Sequence, residues 1–260
     1  MSNEQPYLSI VIPAYNEEVR LPHTLERVEA YLSQQDYPSE IIVVDDGSTD
    51  NTVKVVEEFM ADHPRVRLIR NDHRGKAYTV RTGVLNARGQ FVLFTDADLA
   101  VPIEQADRLL KYLERGYDVA FGSREGIGAR RYGEPFYRHL MGRIFNFLVR
   151  LLGVGHYQDT QCGFKAFRYQ AAQDLFRRVL LYGDEAGVIK GAAVTAFDVE
   201  VLFLAHKAGY RVKEVPVEWY YGTNSKVNPL ADSIRMFKDA WQVRLNDWKG
   251  LYNHSAARRR

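Results

Sequence analysis

Ile41-Ile42-Val43-Val44-Asp45-Asp46-Gly47-Ser48 and Phe91-Val92-Leu93-Phe94-Thr95-Asp96-Ala97-Asp98 decide how this chain folds. Each is a short apolar run, the length of a buried strand, that ends in paired acidic residues. Carboxylates at strand tips add little to stability. They are well placed to hold a ligand, because open α/β sheets bind ligands outside the carboxyl ends of their strands. Asp96-Ala97-Asp98 can reach a hard divalent cation, and such a cation commonly bridges to a diphosphate. The pattern therefore predicts a site for a nucleotide-diphosphate compound.

Working outward, strand and helix alternate. Leu8 to Pro13, Ile41 to Val44, Val66 to Ile69, Phe91 to Phe94 and Asp118 to Phe121 are predicted strands. Glu18 to Gln34, Thr52 to Met60, Lys76 to Ala87 and Ile103 to Arg115 are predicted helices between them. This βαβ order predicts an α/β fold, a mostly parallel, Rossmann-like sheet with helices on both faces. After Gly122 the pattern changes. Helices are expected over Phe136–Leu152, Gln170–Leu180, Ala196–Ala208 and Pro229–Trp248, with a short strand at Gly163–Phe167 and a Gly-rich loop at Gly183–Gly191. Arg211 to Trp219 reads as one strand, and Pro216 places it at a sheet edge.

With 46% hydrophobic and 26% charged residues the 260-residue chain has the make-up of a globular protein with a sizeable core. A net charge of +2 argues against a wholesale nucleic-acid binder, and no nucleic acid is expected. The lone Cys162 allows no intrachain disulfide and suits a reducing compartment. Met1 to Pro6 is too polar for a secretory signal, and no apolar run is long enough to span a bilayer. The expected location is therefore cytoplasmic.

Several stretches carry chemistry. Pro13-Ala14-Tyr15-Asn16-Glu17 is a strand-to-helix turn in which Tyr15 and Glu17 can face a base and ribose. Asp46 can accept from a base N–H, while two adjacent carboxylates at 45 and 46 exceed the need of one helix cap. Asp96 and Asp98 repel each other unless a cation neutralises them, so Mg²⁺ or Mn²⁺ is the expected cofactor. His73-Arg74-Gly75-Lys76 forms a basic turn at a helix start, a candidate anion cradle. No P-loop and no G-x-G-x-x-G follows the first strand, which excludes the usual nucleotide hydrolases and dinucleotide dehydrogenases. From Pro135 to Gln158 there is no acidic residue. His139, Arg143, Asn146 and Arg150 recur at helical spacing as a polar stripe, and the segment is expected to lie on a membrane surface rather than to be core only.

These motifs together resemble inverting family 2 glycosyltransferases of GT-A fold. The resemblance rests on Ser9-Ile10-Val11-Ile12-Pro13-Ala14-Tyr15-Asn16-Glu17, Val43-Val44-Asp45-Asp46-Gly47-Ser48-Thr49-Asp50 and Asp96-Ala97-Asp98. Asp159-Thr160-Gln161-Cys162-Gly163-Phe164-Lys165-Ala166-Phe167, Ala196-Phe197-Asp198-Val199-Glu200 and Ser225-Lys226 are narrower and resemble the dolichyl-phosphate (polyprenyl-phosphate) β-glucosyltransferases. The resemblance implies a single domain over residues 1–250, with a nucleotide-sugar half at 7–122, an acceptor half at 123–250 and a basic tail at 251–260. It implies a nucleotide site built from Pro13, Ala14, Tyr15, Glu17, Asp46, Lys76, Asp96, Ala97 and Asp98, with Asp96 and Asp98 on the metal. Arg124, Arg138 and Lys226 fall at positions that face an acceptor phosphate, and Asp159 and Asp198 are further catalytic candidates beside Asp96 and Asp98. The implied reaction is glucose transfer from a UDP-sugar donor to a polyprenyl phosphate acceptor, at the cytoplasmic face of a membrane that Phe136–Leu152 contacts peripherally. Mannosyl relatives carry glutamine where this chain has Ala100, which leaves the metal one ligand short and weighs against GDP-mannose. A mannosyltransferase, or a family 2 enzyme with another acceptor, stays open as the alternative.

Overall fold

The structure is a computed structural model that describes residues 5–153, 157–183, 187–188, 195–222 and 229–253, with the backbone only at 229–232. Among them a seven-stranded sheet runs in the order β3-β2-β1-β4-β7-β5-β8. Its strands are β1 (Leu8–Ala14), β2 (Ser39–Asp45), β3 (Val66–Arg70), β4 (Phe91–Thr95), β5 (Val119–Ser123), β7 (Phe164–Arg168) and β8 (Val212–Pro216). β7 pairs antiparallel with both β4 and β5, while the β1–β2, β1–β4, β2–β3 and β5–β8 pairs are parallel. Strand order therefore reverses at β1, whose neighbours are β2 and β4, and a ligand crevice opens at such a point.

The central strands alternate between two cores because successive side chains leave a strand on opposite faces. Leu8, Ile10 and Ile12 pack with α1 (Leu21–Leu32), α2 (Thr52–Asp62) and α4 (Ala106–Glu114) on one face. Val11, Val92 and Phe94 pack with α3 (Lys76–Asn86), α6 (Tyr169–Arg178) and α7 (Phe197–Lys207) on the other. α5 (Phe136–Leu151) and α8 (Pro229–Trp248) join that second layer through Phe145, Val149, Ala240 and Val243.

Two expectations needed correction. The first helix starts at Leu21 rather than Glu18, because the Arg20 and Leu21 amides both donate to the Glu17 carbonyl and close a turn first. The predicted strand Arg211–Trp219 is two strands in two sheets: β8 at the edge that Pro216 implied, then β9 (Glu218–Tyr220). β9 pairs in parallel with β6 (Arg130–Tyr132), whose Arg-Arg-Tyr sequence carries no apolar alternation to reveal it. Most of the Gly183–Gly191 loop and of the 251–260 tail lies outside the described residues.

Candidate active site

The turns after β1 and β2 are stitched together by short polar side chains. The Asn16 amide donates to Ser48 Oγ at 2.9 Å, the Glu17 amide to Thr52 Oγ1 at 2.8 Å, and the Thr49 amide to Asn16 Oδ1 at 2.8 Å. Asn16 sits at φ 52°, a left-handed conformation that asparagine tolerates. This bracing fixes Pro13, Ala14, Tyr15 and Glu17 at the carboxyl end of β1. The two adjacent aspartates split their work. Asp45 accepts from the Gly47 and Ser48 amides and forms the turn. Asp46 accepts from the Arg74 amide at 2.9 Å, the Gly75 amide at 2.9 Å and His73 Nδ1 at 2.8 Å. His73 in turn stacks on Tyr15 with ring centroids 3.9 Å apart. Asp46 thus shapes the basic turn and, through His73, the aromatic wall of the crevice. Asp46→Ala is expected to raise the donor KM about tenfold with a smaller change in kcat, because a group remote from the reacting carbon contributes uniform binding. A loss confined to kcat, measured with donor varied, would contradict this.

Asp96 and Asp98 lie on a tight turn at the end of β4. The Leu99 amide donates to the Asp96 carbonyl and the Ala100 amide to Asp98 Oδ1. Leu99 takes φ 45°, a strained conformation for leucine that its burial in the apolar cluster holds in place. Thr24 Oγ1 of α1 donates to the Ala97 carbonyl at 2.6 Å and pins the turn from the other side. Lys76, first residue of α3, forms an ion pair with Asp96. Burial works against the Lys76 charge, but Asp96, Asp198 and Asp98 hold its ammonium above the ordinary lysine value. Asp98 is exposed at the mouth, yet loss of solvation and the Asp96 charge push its carboxyl upward. Gly163 lies directly under Asp96, so that a Cβ there would overlap the carboxylate.

Behind this turn is a charge the sequence reading gave no role. Lys165 is fully buried on β7 between Phe164 and Phe167; its Nζ lies 2.6 Å from Asp198 Oδ1 and donates to the Cys162 carbonyl at 2.5 Å. Its ammonium sits 5.6 Å from the Phe94 ring and 5.8 Å from that of Phe121. Burial raises the Asp198 carboxyl despite Lys165 and Lys76, and Asp96 adds to the rise. A lysine inside an apolar strand was the signal that could have revealed it. Lys76, Lys165, Asp96, Asp98 and Asp198 form one cluster: two cations against three carboxylates, formally one negative charge in excess. The donor set fits a hard cation, to which Asp96 and Asp98 could offer carboxylate oxygens. Among the described residues no group of three or more His, Cys, Asp or Glu side chains could hold a metal, so the remaining ligands would come from a bound diphosphate or water.

Of the acceptor-side candidates, Arg124 follows β5 and Arg138 lies in the first turn of α5. Arg124 Nε and Nη2 donate to the two Asp159 oxygens at 2.7 and 2.8 Å, and the Arg124 amide adds a third bond at 2.9 Å. Asp159 is fully buried; burial opposes its charge, but Arg124 and then Lys165 hold its carboxyl far below the usual range. Glu214 of β8 accepts from the Gln158 and Asp159 amides and from Ser123 Oγ, which locks this loop to the sheet. Arg138 Nη1 donates to the Tyr221 hydroxyl at 2.7 Å. Lys226 lies outside the described residues. The polar stripe of α5 is divided between the interior and the surface. Asn146 is buried and accepts from Thr160, while His139 and Arg143 point to Glu125. The open face instead carries Phe136, Tyr137, Leu140, Ile144, Phe147 and Leu151, with exposed Arg143 and Arg150 along one edge. No described helix is long and apolar enough to cross a membrane.

Comparison with known proteins places this geometry. The dolichyl-phosphate beta-glucosyltransferase of Dictyostelium discoideum is 33% identical over 95% of this chain and 76% of its own length. The human protein of the same name is 34% identical over 97% of this chain and 79% of its own. The solved structure of glucosyl-3-phosphoglycerate synthase from Mycobacterium tuberculosis, in complex with Mn²⁺, UDP and glucosyl-3-phosphoglycerate, superposes with a TM-score of 0.62 over 92% of this chain and 80% of that one, at 17% identity. Such a likeness carries the GT-A fold. The family model described as Glycosyl transferase family 2 matches residues 9–176, so the chain belongs to glycosyl transferase family 2.

Proposed function

We propose that this glycosyltransferase moves glucose from UDP-glucose to a polyprenyl phosphate such as dolichyl phosphate, with inversion from an α-linked donor to a β-linked product. The observation that carries the reading is that the Asp96/Asp98 turn, paired with Lys76, follows β4 and Arg124 follows β5 in the same sheet, with Arg138 of α5 bonded to Tyr221 just beyond β9. The names of the relatives support glucose and dolichyl phosphate. Tyr15, Glu17 and the His73–Lys76 turn face the nucleotide, and Arg124 and Arg138 face the acceptor phosphate. A divalent cation on Asp98 and Asp96 would offset the charge that develops on the departing diphosphate. The nucleophile is a phosphomonoester with a second pKa of about 6 and is largely ionised at neutral pH. No strong base is required. Asp159, spent on Arg124 and held at low pKa, supports a role in orienting that guanidinium rather than in taking a proton. Asp198 anchors Lys165 and adds to the charge around Lys76 and Asp96.

Purified protein incubated with Mn²⁺ or Mg²⁺ and a polyprenyl phosphate should form lipid-linked glucose from UDP-glucose and little product from GDP-mannose. A reversed preference would overturn the donor assignment. Donor hydrolysis that the lipid phosphate does not outcompete would overturn the acceptor.

The apolar stripe of α5 with Arg143 and Arg150 beside it is the proposed contact with the cytoplasmic membrane face. Ile234, Phe237 and Trp241 extend exposed apolar surface onto neighbouring α8. Arg143→Glu with Arg150→Glu should lower liposome affinity at least about thirtyfold, at about 1 kcal/mol for each of the two positive charges lost near an anionic surface, and salt should weaken binding as well. Absence of flotation with anionic vesicles at low salt would sink the proposal.

A further inference from the structure

β9 and the residue after it, Tyr221, touch both the carboxylate turn and the arginines with three consecutive residues. The Tyr220 amide donates to the Ala100 carbonyl at 2.7 Å, directly behind the Asp96–Asp98 turn. Trp219 and Tyr221 leave the chain on the opposite side from Tyr220, as the strand period requires. Trp219 lies under the Arg124 guanidinium, with the carbon 5.3 Å from the ring. Tyr221 lies under Arg138 at 5.0 Å and accepts its 2.7 Å hydrogen bond. The two rings are 5.9 Å apart, centroid to centroid. The outer side is held by stacking of Tyr132 on Tyr220 at 4.6 Å, and the Tyr221 amide donates to the Tyr132 carbonyl at 2.9 Å. Gly222 follows beside Asp98, with a hypothetical Cβ 3.9 Å from Oδ2.

We infer that Trp219, Tyr220 and Tyr221 form a ruler that sets the distance between the donor carboxylate turn and the two arginines, with Trp219 and Tyr221 as positioning residues for the acceptor phosphate. The inference rests on the reading of Arg124 and Arg138 as acceptor ligands. An aromatic face attracts a guanidinium and restricts it to a plane, and a phosphate bound bidentately needs that plane fixed. Two arginines on rings two residues apart in the chain, one in β9 and one just past it, keep a constant spacing. Because the same strand is bonded to Ala100, the spacing is referenced to the donor site rather than to a mobile loop.

The test measures acceptor KM, UDP affinity by calorimetry and thermal unfolding. Tyr221→Phe keeps the ring and loses the hydrogen bond, so acceptor KM should rise about three- to tenfold. Tyr221→Leu should raise it further. UDP affinity should stay within twofold for both, about the scatter of additive sites. In an Arg138→Ala background Tyr221→Leu should add little, because Tyr221 acts through Arg138. Trp219→Phe should recover most of what Trp219→Leu loses. If Arg138→Ala raises acceptor KM and Tyr221→Leu does not, the ruler is wrong and the acceptor reading stands. If Arg138→Ala leaves acceptor KM unchanged, the acceptor reading falls and the ruler with it. Equal losses of UDP and acceptor binding in Tyr221→Phe would make β9 a scaffold only and overturn the proposal.

Discussion

Asp98→Asn is expected to lower turnover about a hundredfold or more while leaving the protein at least as stable as its parent at neutral pH. The rate loss follows from removing one of the two carboxylates proposed to hold a cation. The stability claim follows from the pKa. The folded-state value is raised, by desolvation and by Asp96, so the ionised carboxylate costs the folded state something that grows as pH rises through the carboxylate range. Asparagine removes that cost, and its advantage should shrink toward acid. A second readout separates chemistry from folding. Mn²⁺ should raise the melting temperature of the parent in the presence of UDP, by mass action on the folded state, and should do little for the variant. Near-parental transfer by Asp98→Asn at saturating Mg²⁺ or Mn²⁺ would remove Asp98 from the metal site.

Arg124→Met should destabilise the fold by about 3–5 kcal/mol, since it strands a buried carboxylate. Arg124→Met with Asp159→Leu should cost clearly less than Arg124→Met alone, because no charge is left in the interior. In the parent, burial opposes the Asp159 charge but Arg124 outweighs it and lowers the pKa. The pair's contribution is therefore complete above the unfolded-state value, near pH 4, and is lost as pH falls below it. In Arg124→Met the sign inverts, and instability should grow with rising pH. Urea unfolding across pH checks both statements; a single variant no less stable than the double would contradict them. The consequence for the acceptor question is direct. A loss of transfer in Arg124→Ala mixes lost phosphate binding with lost folding, whereas Arg138, on the surface of Tyr221, gives the cleaner variant.

Much of this was legible in the chain because strand tips advertise their chemistry. Val43-Val44-Asp45-Asp46 and Leu93-Phe94-Thr95-Asp96 show the strand and the carboxylate in adjacent residues, so the crevice and its charge could be read together. The division of labour between Asp45 and Asp46 could not, because it depends on where the 73–75 turn returns in space. The Arg124–Asp159 pair was invisible for the same reason: it joins residues 35 apart that both read as free site groups. Which members of the α5 polar stripe meet other parts of the protein was not legible, because periodicity shows a polar stripe without showing what lies opposite it. Here Thr160 holds Asn146 inside and Glu125 pairs with His139 and the exposed Arg143, and the apolar stripe is left outside.

The reversed strand has a consequence for how the molecule must assemble. β4 and β5 are not neighbours; β7, which the ribosome delivers some seventy residues after β4, inserts between them. Until it does, the growing chain holds two unpaired strand edges, the condition under which sheets mispair and aggregate. Lys165 travels on that strand and meets Asp198 only when α7 has been made. The donor crevice is thus finished late in synthesis, and a fragment that ends near residue 150 would carry the whole Asp96–Asp98 sequence without the strand beside it. Splitting this enzyme into donor and acceptor pieces is a poor route to either activity.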